Sequence, residues 1–141
     1  MLITKQEILT IAYISTTITV NDILESAITT AELTYARQAM STALFEDVSA
    51  NPSDPKYATL LSDYAKPFLA YATKAILFYQ QMYEGGTTPS TDDNVVFSEI
   101  YAMAKSKYNI LQNYCSAQDF TSYVAPEYKL KSGFLIKNKA S

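Results

Sequence analysis

A chain of 141 residues, 48% hydrophobic and 18% charged, suits one ordered domain with a core of its own and excludes a disordered polymer. Its net charge of −3 conceals a division: no acid follows Glu127, whereas Lys129, Lys131, Lys137 and Lys139 do, which leaves seven basic against fourteen acidic residues before them, a balance of −7. Such a body lacks the basic face of a polyanion-binding domain, and with no histidine and one cysteine, Cys115, the chain has no intrachain disulfide, no imidazole catalysis and almost nothing to hold zinc.

Thr4 to Glu7 have the spacing of a capping box, in which the Thr4 hydroxyl accepts the third helical N–H and Glu7 reaches back. A short helix over residues 5–13 follows, with Ile8, Ile11 and Ala12 on one side. The next stretch, Ile14 to Val20, is β-branched at most positions and suits an extended connector. Asn21 or Thr19 then caps a long second helix, from Asp22 to Phe45 or beyond, with Asp22 and Glu25 placed against its N-terminal dipole. Its stripe of Leu24, Ile28 or Ala27, Ala31, Tyr35, Ala39 or Gln38, and Ala43 keeps helical spacing. Arg37, the one arginine, fits a solvated surface, a buried carboxylate partner or a bridge between subunits.

Two prolines and three turn formers between Asn51 and Pro55 break the chain. Pro55 suits the first turn of the next helix, with Asp54 or Ser53 as its cap. Residues 56–83 form the most aromatic run, a helix interrupted once, at Pro67, with a kink or split expected between Asp63 and Lys66. Leu69, Ala72, Ile76 and Tyr79 recur at helical spacing, and Phe68, Tyr71, Phe78 and Met82 widen the stripe to most of the circumference. Such a helix is central in a bundle or covered by another chain. The expected core is therefore Pro67, Phe68, Leu69, Tyr71, Ile76 and Phe78, closed at its end by Gly85 as a left-handed cap.

Residues 87–94 read as a polar loop. Asp92, Asp93 and Asn94 lack the five or six ordered oxygen ligands of a hard-cation site and mark a helix start instead. A fourth helix over 96–114 carries Ile100, Met103 or Ala104, Lys107 or Tyr108, Leu111 and Tyr114 along one face. A capping-type start at Ser116 opens a short helix to Tyr123. Beyond it, Tyr128, Lys129, Leu130 and Lys131, then Phe134, Leu135, Ile136 and Lys137, form an apolar and basic strand-like pattern too short to build its own sheet. This segment reads as an assembly arm that adds a strand to a neighbour or lies in a neighbour's groove; an arm folded back on its own bundle or disordered is the alternative.

The expected fold is all-α: a bundle of four to five helices over residues 1–127 with an extended arm over 128–141. No signal-peptide pattern opens the chain and no run approaches membrane-spanning length, so a soluble intracellular protein is expected. Twelve tyrosines without tryptophan suit rings at the core edge or at partly wet subunit contacts. Catalytic, cofactor-binding and metal-binding residues are all expected to be absent. Tyr101 and Lys105 share the Tyr-x-x-x-Lys spacing of short-chain dehydrogenases, but no Gly-x-Gly-x-x-Gly loop accompanies them. Cys115 has no histidine to activate it.

The opening MLITKQEI, the AYISTTI that follows, and a long helix containing AELTYARQAM resemble small head–tail connector (adaptor) proteins of tailed bacteriophages. The likeness is greatest to those of Bacteroides phages, including crAss-like ones. Lys66 to Tyr71, KPFLAY, is similar to that family's central helix start, and the Gly-Gly turn and later Tyr-rich helix fall in the same order over residues 1–125. The second helix departs from the family pattern after the arginine, with Gln38-Ala39-Met40-Ser41 in place of a Pro-Leu-Gly-like ending. The resemblance implies a structural virion protein at the neck, made in the bacterial host cytoplasm. It implies a homo-oligomeric ring, commonly of twelve copies, seated between the portal protein and other ring or tail proteins, with genome DNA passing through the bore. No membrane contact is implied. The alternative is a small helical regulatory or binding protein whose basic tail contacts nucleic acid.

Overall fold

The computed structural model describes residues 1–14, 16–86, 88–118, Phe120 and Tyr123. It is all-α, with five helices and no strand among the described residues: α1 (Lys5–Ala12), α2 (residues 25–40), α3 (Thr42–Ala50), α4 (residues 58–82) and α5 (Thr91–Ala117). The capping box at Thr4 opens α1 as its residue types require: Glu7 N–H donates to the Thr4 hydroxyl at 3.1 Å and Thr4 N–H to Glu7 Oε1 at 2.9 Å.

α4 is the central element and packs against α1, α2 and α5. Leu60, Leu61, Ala65, Phe68, Leu69, Ala70, Ala72, Ala75 and Ile76 bury most of its circumference. Among the expected core residues Phe68, Leu69 and Ile76 are buried, while Pro67, Tyr71 and Phe78 are half-buried at its rim. Pro67 does not split the helix. The turn before it, Leu60–Ala65, widens to π geometry, closed by Lys66 N–H donating to Leu61 O, and the backbone stays right-handed through Ala65 and Lys66. The wide turn accommodates the proline ring and its missing N–H where a regular turn would clash.

Three ties hold α1 against α4. Lys66 Nζ meets Glu7 Oε2 at 2.5 Å, Lys74 Nζ donates to Ala12 O at 2.8 Å, and the Tyr71 hydroxyl reaches Ile11 O at 3.4 Å. Burial alone would raise the Glu7 carboxyl, but the Lys66 ammonium and the Thr4 N–H outweigh it and hold that carboxyl below its ordinary range. The N-terminal segment is pinned separately: Leu2 N–H donates to the buried Glu32 carboxylate on α2 at 2.7 Å.

The long second helix does not run to Phe45. Thr19 and Asp22 cap only a 3-10 turn, Val20–Asp22, and α2 starts three residues later at Glu25 without a side-chain cap. It carries its own π turn, Ala31–Ala36, and stops at Met40. Ser41 has φ 73 and ψ 150, and α3 sets off from it with the Ser41 hydroxyl accepting Leu44 N–H at 3.4 Å. Met40 and Leu44, both fully buried, hold this bend from either side. A non-glycine residue in that region stores about 1–3 kcal/mol of strain, whereas a Ser-to-Gly change at a helix cap costs only about a few tenths. Ser41→Gly is therefore expected to stabilise the chain by about 1 kcal/mol and to raise Tm by a few degrees in a thermal melt. A lower Tm would mean that Ser41 is not strained.

The end of α4 and the start of α5 also differ from expectation. A left-handed residue after α4 is Gly86, φ 76, which closes the 3-10 turn Glu84–Gly86 one residue beyond the expected cap Gly85. Thr91 to Asn94, expected in a loop, form the first turn of α5, because Ser90 and Asp93 complete a capping box there. At its other end α5 runs through Ala117. The Ser116 hydroxyl donates back to Asn113 O at 3.0 Å, and Phe120 and Tyr123 lie outside any helix, so the described residues of the short helix expected over 116–123 do not form it. The arm, residues 128–141 with Tyr128, Lys129, Leu130, Lys131, Phe134, Leu135, Ile136 and Lys137, lies outside the described residues.

Candidate interaction surfaces

Cys115 is fully buried on the inner face of α5, and burial pushes its thiol up to about 12, far from a nucleophilic thiolate at neutral pH. The Tyr101 ring lies 5.8 Å from Phe97 as part of an aromatic row that continues through Tyr79 and Tyr83. Asp93 is engaged in the α5 cap. Among the described residues no three His, Cys, Asp or Glu side chains converge on a point that could hold a metal, and no helix is long and apolar enough to cross a membrane.

The aromatic residues divide between core and edge. Tyr35, Tyr57 and Tyr108 are buried, while Tyr13, Tyr64, Tyr71, Tyr101, Tyr114 and Tyr123 pack half-buried at the margin of the core. Tyr64 and Tyr114 stack at 3.8 Å between α4 and α5, and the Phe68 and Tyr108 rings meet edge to face at 5.6 Å deeper in the same seam. Tyr57 donates to the Asp47 carboxylate; burial first and that carboxylate second push its phenol up to about 12. Arg37 is half-buried with its guanidinium 5.4 Å over the Phe45 ring, and no carboxylate among the described residues pairs with it.

The surface that stands out is the outward side of α5. Ala104, Tyr108, Leu111 and Cys115 are its buried residues. At 100° per residue, Val95, Ala102, Met103 and Ile110 fall on the opposite side together with the polar Ser98, Glu99, Ser106, Asn109, Asn113 and Ser116, and all are exposed. Between Val95 and Ala117 the one charge on that side is Glu99. An isolated solvated helix normally sets charged residues there. The inner-face pattern reads Met103 and Ala104 as equivalent, and the structure resolves them: Ala104 is buried and Met103 is 43% exposed. The signal for the outer stripe is present in the sequence as Val96, Met103 and Ile110 spaced by seven.

Beside the N-terminal half of this face lies a groove of about 960 Å³. Its floor is Lys74, Leu77 and Phe78 of α4, one wall is Val96, Glu99 and Ile100 of α5, and the other is the connector from Tyr13 to Leu24. Lys74 is held against the connector, 4.9 Å over the Tyr13 ring, and desolvation lowers its pKa. Burial and then the Asp22 carboxylate push the Tyr13 phenol up to about 12. Leu24 (51% exposed) and Val96 (42%) line the mouth.

No family model, no curated protein and no solved structure matches this chain.

Proposed function

We propose that this protein is a structural subunit of a head–tail connector (adaptor) ring in a tailed bacteriophage. It acts by assembly and docking, without catalysis. The observation that carries the reading is the outward face of α5, more than 20 residues of uninterrupted helix with exposed Val95, Met103 and Ile110 and a single charge between Val95 and Ala117. Copies arranged around an axis bury such faces against one another, and a row of small and apolar side chains permits close helix approach. The sequence resemblance supplies the rest: a ring, commonly of twelve copies, between the portal and the next tail or ring component, with DNA passing through its bore; the acidic body, −7 before the tail, suits DNA that slides without being retained. In this reading the arm from Tyr128 reaches onto the portal, the next ring or an adjacent subunit.

The test is co-expression with the portal protein of the same phage, followed by native mass measurement and electron microscopy. The wild-type chain is expected to add a ring to the portal, and Met103→Glu/Ile110→Glu is expected to abolish it while leaving the melting of the free subunit within a few degrees, since both positions are exposed. Normal rings from the double variant would overturn the reading. So would binding of DNA by the free chain with a steep loss of affinity as salt rises, which would move the function to the nucleic-acid-binding alternative.

A further inference from the structure

The lining of the groove between α4, α5 and the connector combines Leu77, Phe78 and Ile100 with three acids, Asp22, Glu84 and Glu99. Lys74, the one cation in the lining, is bonded to Ala12 O. A fitting occupant carries apolar side chains flanked by positive charge and no acid. The chain itself contains such a segment: Phe134, Leu135 and Ile136, bracketed by Lys131, Lys137 and Lys139, with no acidic residue after Glu127.

Length agrees with this. After α5 the Phe120 ring lies 6.2 Å from Tyr114 and 5.8 Å from Tyr57, Tyr123 N–H bonds to Phe120 O, and both rings pack against the core on the Tyr114 side of the helix. From Ala117 back to Val96 along α5 is ~32 Å at a helical rise of ~1.5 Å per residue. From Tyr123 to Phe134 an extended chain spans ~36 Å. The apolar triplet therefore reaches the groove, passing Ile110 and Met103, which lie in one row with Val96 along the outer side of the helix.

We propose that in the free subunit the C-terminal segment, residues 128–139, returns along its own α5, sets Phe134, Leu135 and Ile136 on the floor of the groove, and places its lysines against Asp22, Glu84 and Glu99. The tail then covers the same apolar surface that the assembly uses, and a partner that displaces it both exposes that surface and frees the arm. The inference concerns the free subunit and is independent of the identity of the assembly.

Cross-linking of the full-length chain tests it. Gln81, exposed at the groove, and Asn138 are replaced together by cysteine and treated with a short bis-maleimide; the native Cys115 is buried and does not compete. The expected product is a link within one chain, roughly tenfold more abundant than for Gln6→Cys/Asn138→Cys, because docking raises the effective concentration only at the groove. The yield is expected to fall in Glu99→Lys and to recover in Glu99→Lys/Lys137→Glu. Control-level yield at Gln81, or a product joining two chains, overturns the proposal; the second result would place the tail on a neighbouring copy.

Discussion

Leu69→Asp is expected to abolish the cooperative unfolding transition of this protein. Leu69 is fully buried at the middle of α4, the helix that touches α1, α2 and α5, and none of its neighbours in the core is a cation. An ionised carboxylate there has no partner, and its neutral form still lacks hydrogen bonds, so the substitution costs several kcal/mol on top of the lost leucine contacts. A domain of this size has a total stability of about 5–15 kcal/mol, so the balance passes to the unfolded chain or to a loosely packed state. Circular dichroism during a urea or thermal titration reads this directly. Leu69→Met, which keeps volume and polarity, is expected to cost less than about 1.5 kcal/mol in the same experiment and to melt cooperatively. Cooperative melting of the aspartate variant near the wild-type midpoint would remove α4 from the centre of the fold.

The position of α4 was legible because the evidence for it is redundant. Phe68, Leu69, Ala72, Ala75 and Ile76 keep helical spacing, and Pro52 to Pro55 and Gly85-Gly86 bracket the run, so periodicity and punctuation agree. The break at Ser41 was not legible. Gln38-Ala39-Met40-Ser41-Thr42 contains no glycine or proline, the stripe of the preceding helix continues in phase into α3, and the bend is imposed by burial of Met40 and Leu44. Tertiary packing overrides local preference there, at the cost of a strained serine. The two π turns escape any reading by period, since a single widened turn shifts the stripe by one residue within an otherwise regular pattern. In α5 the inner face is readable to within one residue, and the helix is expected to contact neighbouring subunits, but the outer stripe that would do so is not delimited by the sequence. Val95, Met103 and Ile110 look like ordinary scattered hydrophobics until the buried side is fixed and the near absence of charge opposite it becomes visible. The placement of Phe120 against Tyr114 follows from contacts alone and leaves no trace in spacing.

Phe68→Ala is expected to destabilise the chain by about 3–5 kcal/mol, the usual cost of removing a fully buried ring from a core that cannot close over it. The cavity opens in the seam between α4 and α5, where the Phe68 and Tyr108 rings meet at 72°. That edge-to-face contact contributes about 0.5–1.5 kcal/mol beyond the buried area, so Tyr108→Ala and Phe68→Ala are expected to be less than additive when combined. A double-mutant cycle by urea denaturation measures the coupling; strict additivity would mean that the two rings do not support each other. The pair also links stability to assembly. α5 is held to the bundle by Ala104, Tyr108, Leu111 and Cys115, with Tyr64 and Tyr114 stacked near its end, while its other side is the proposed contact face. Loosening the Phe68–Tyr108 contact leaves Met103 and Ile110 in place but lets the helix that presents them shift. Phe68→Ala is therefore expected to lower ring formation on the portal at temperatures where the free subunit remains folded, and substitution of an exposed α3 residue such as Glu46 is expected to leave it unchanged.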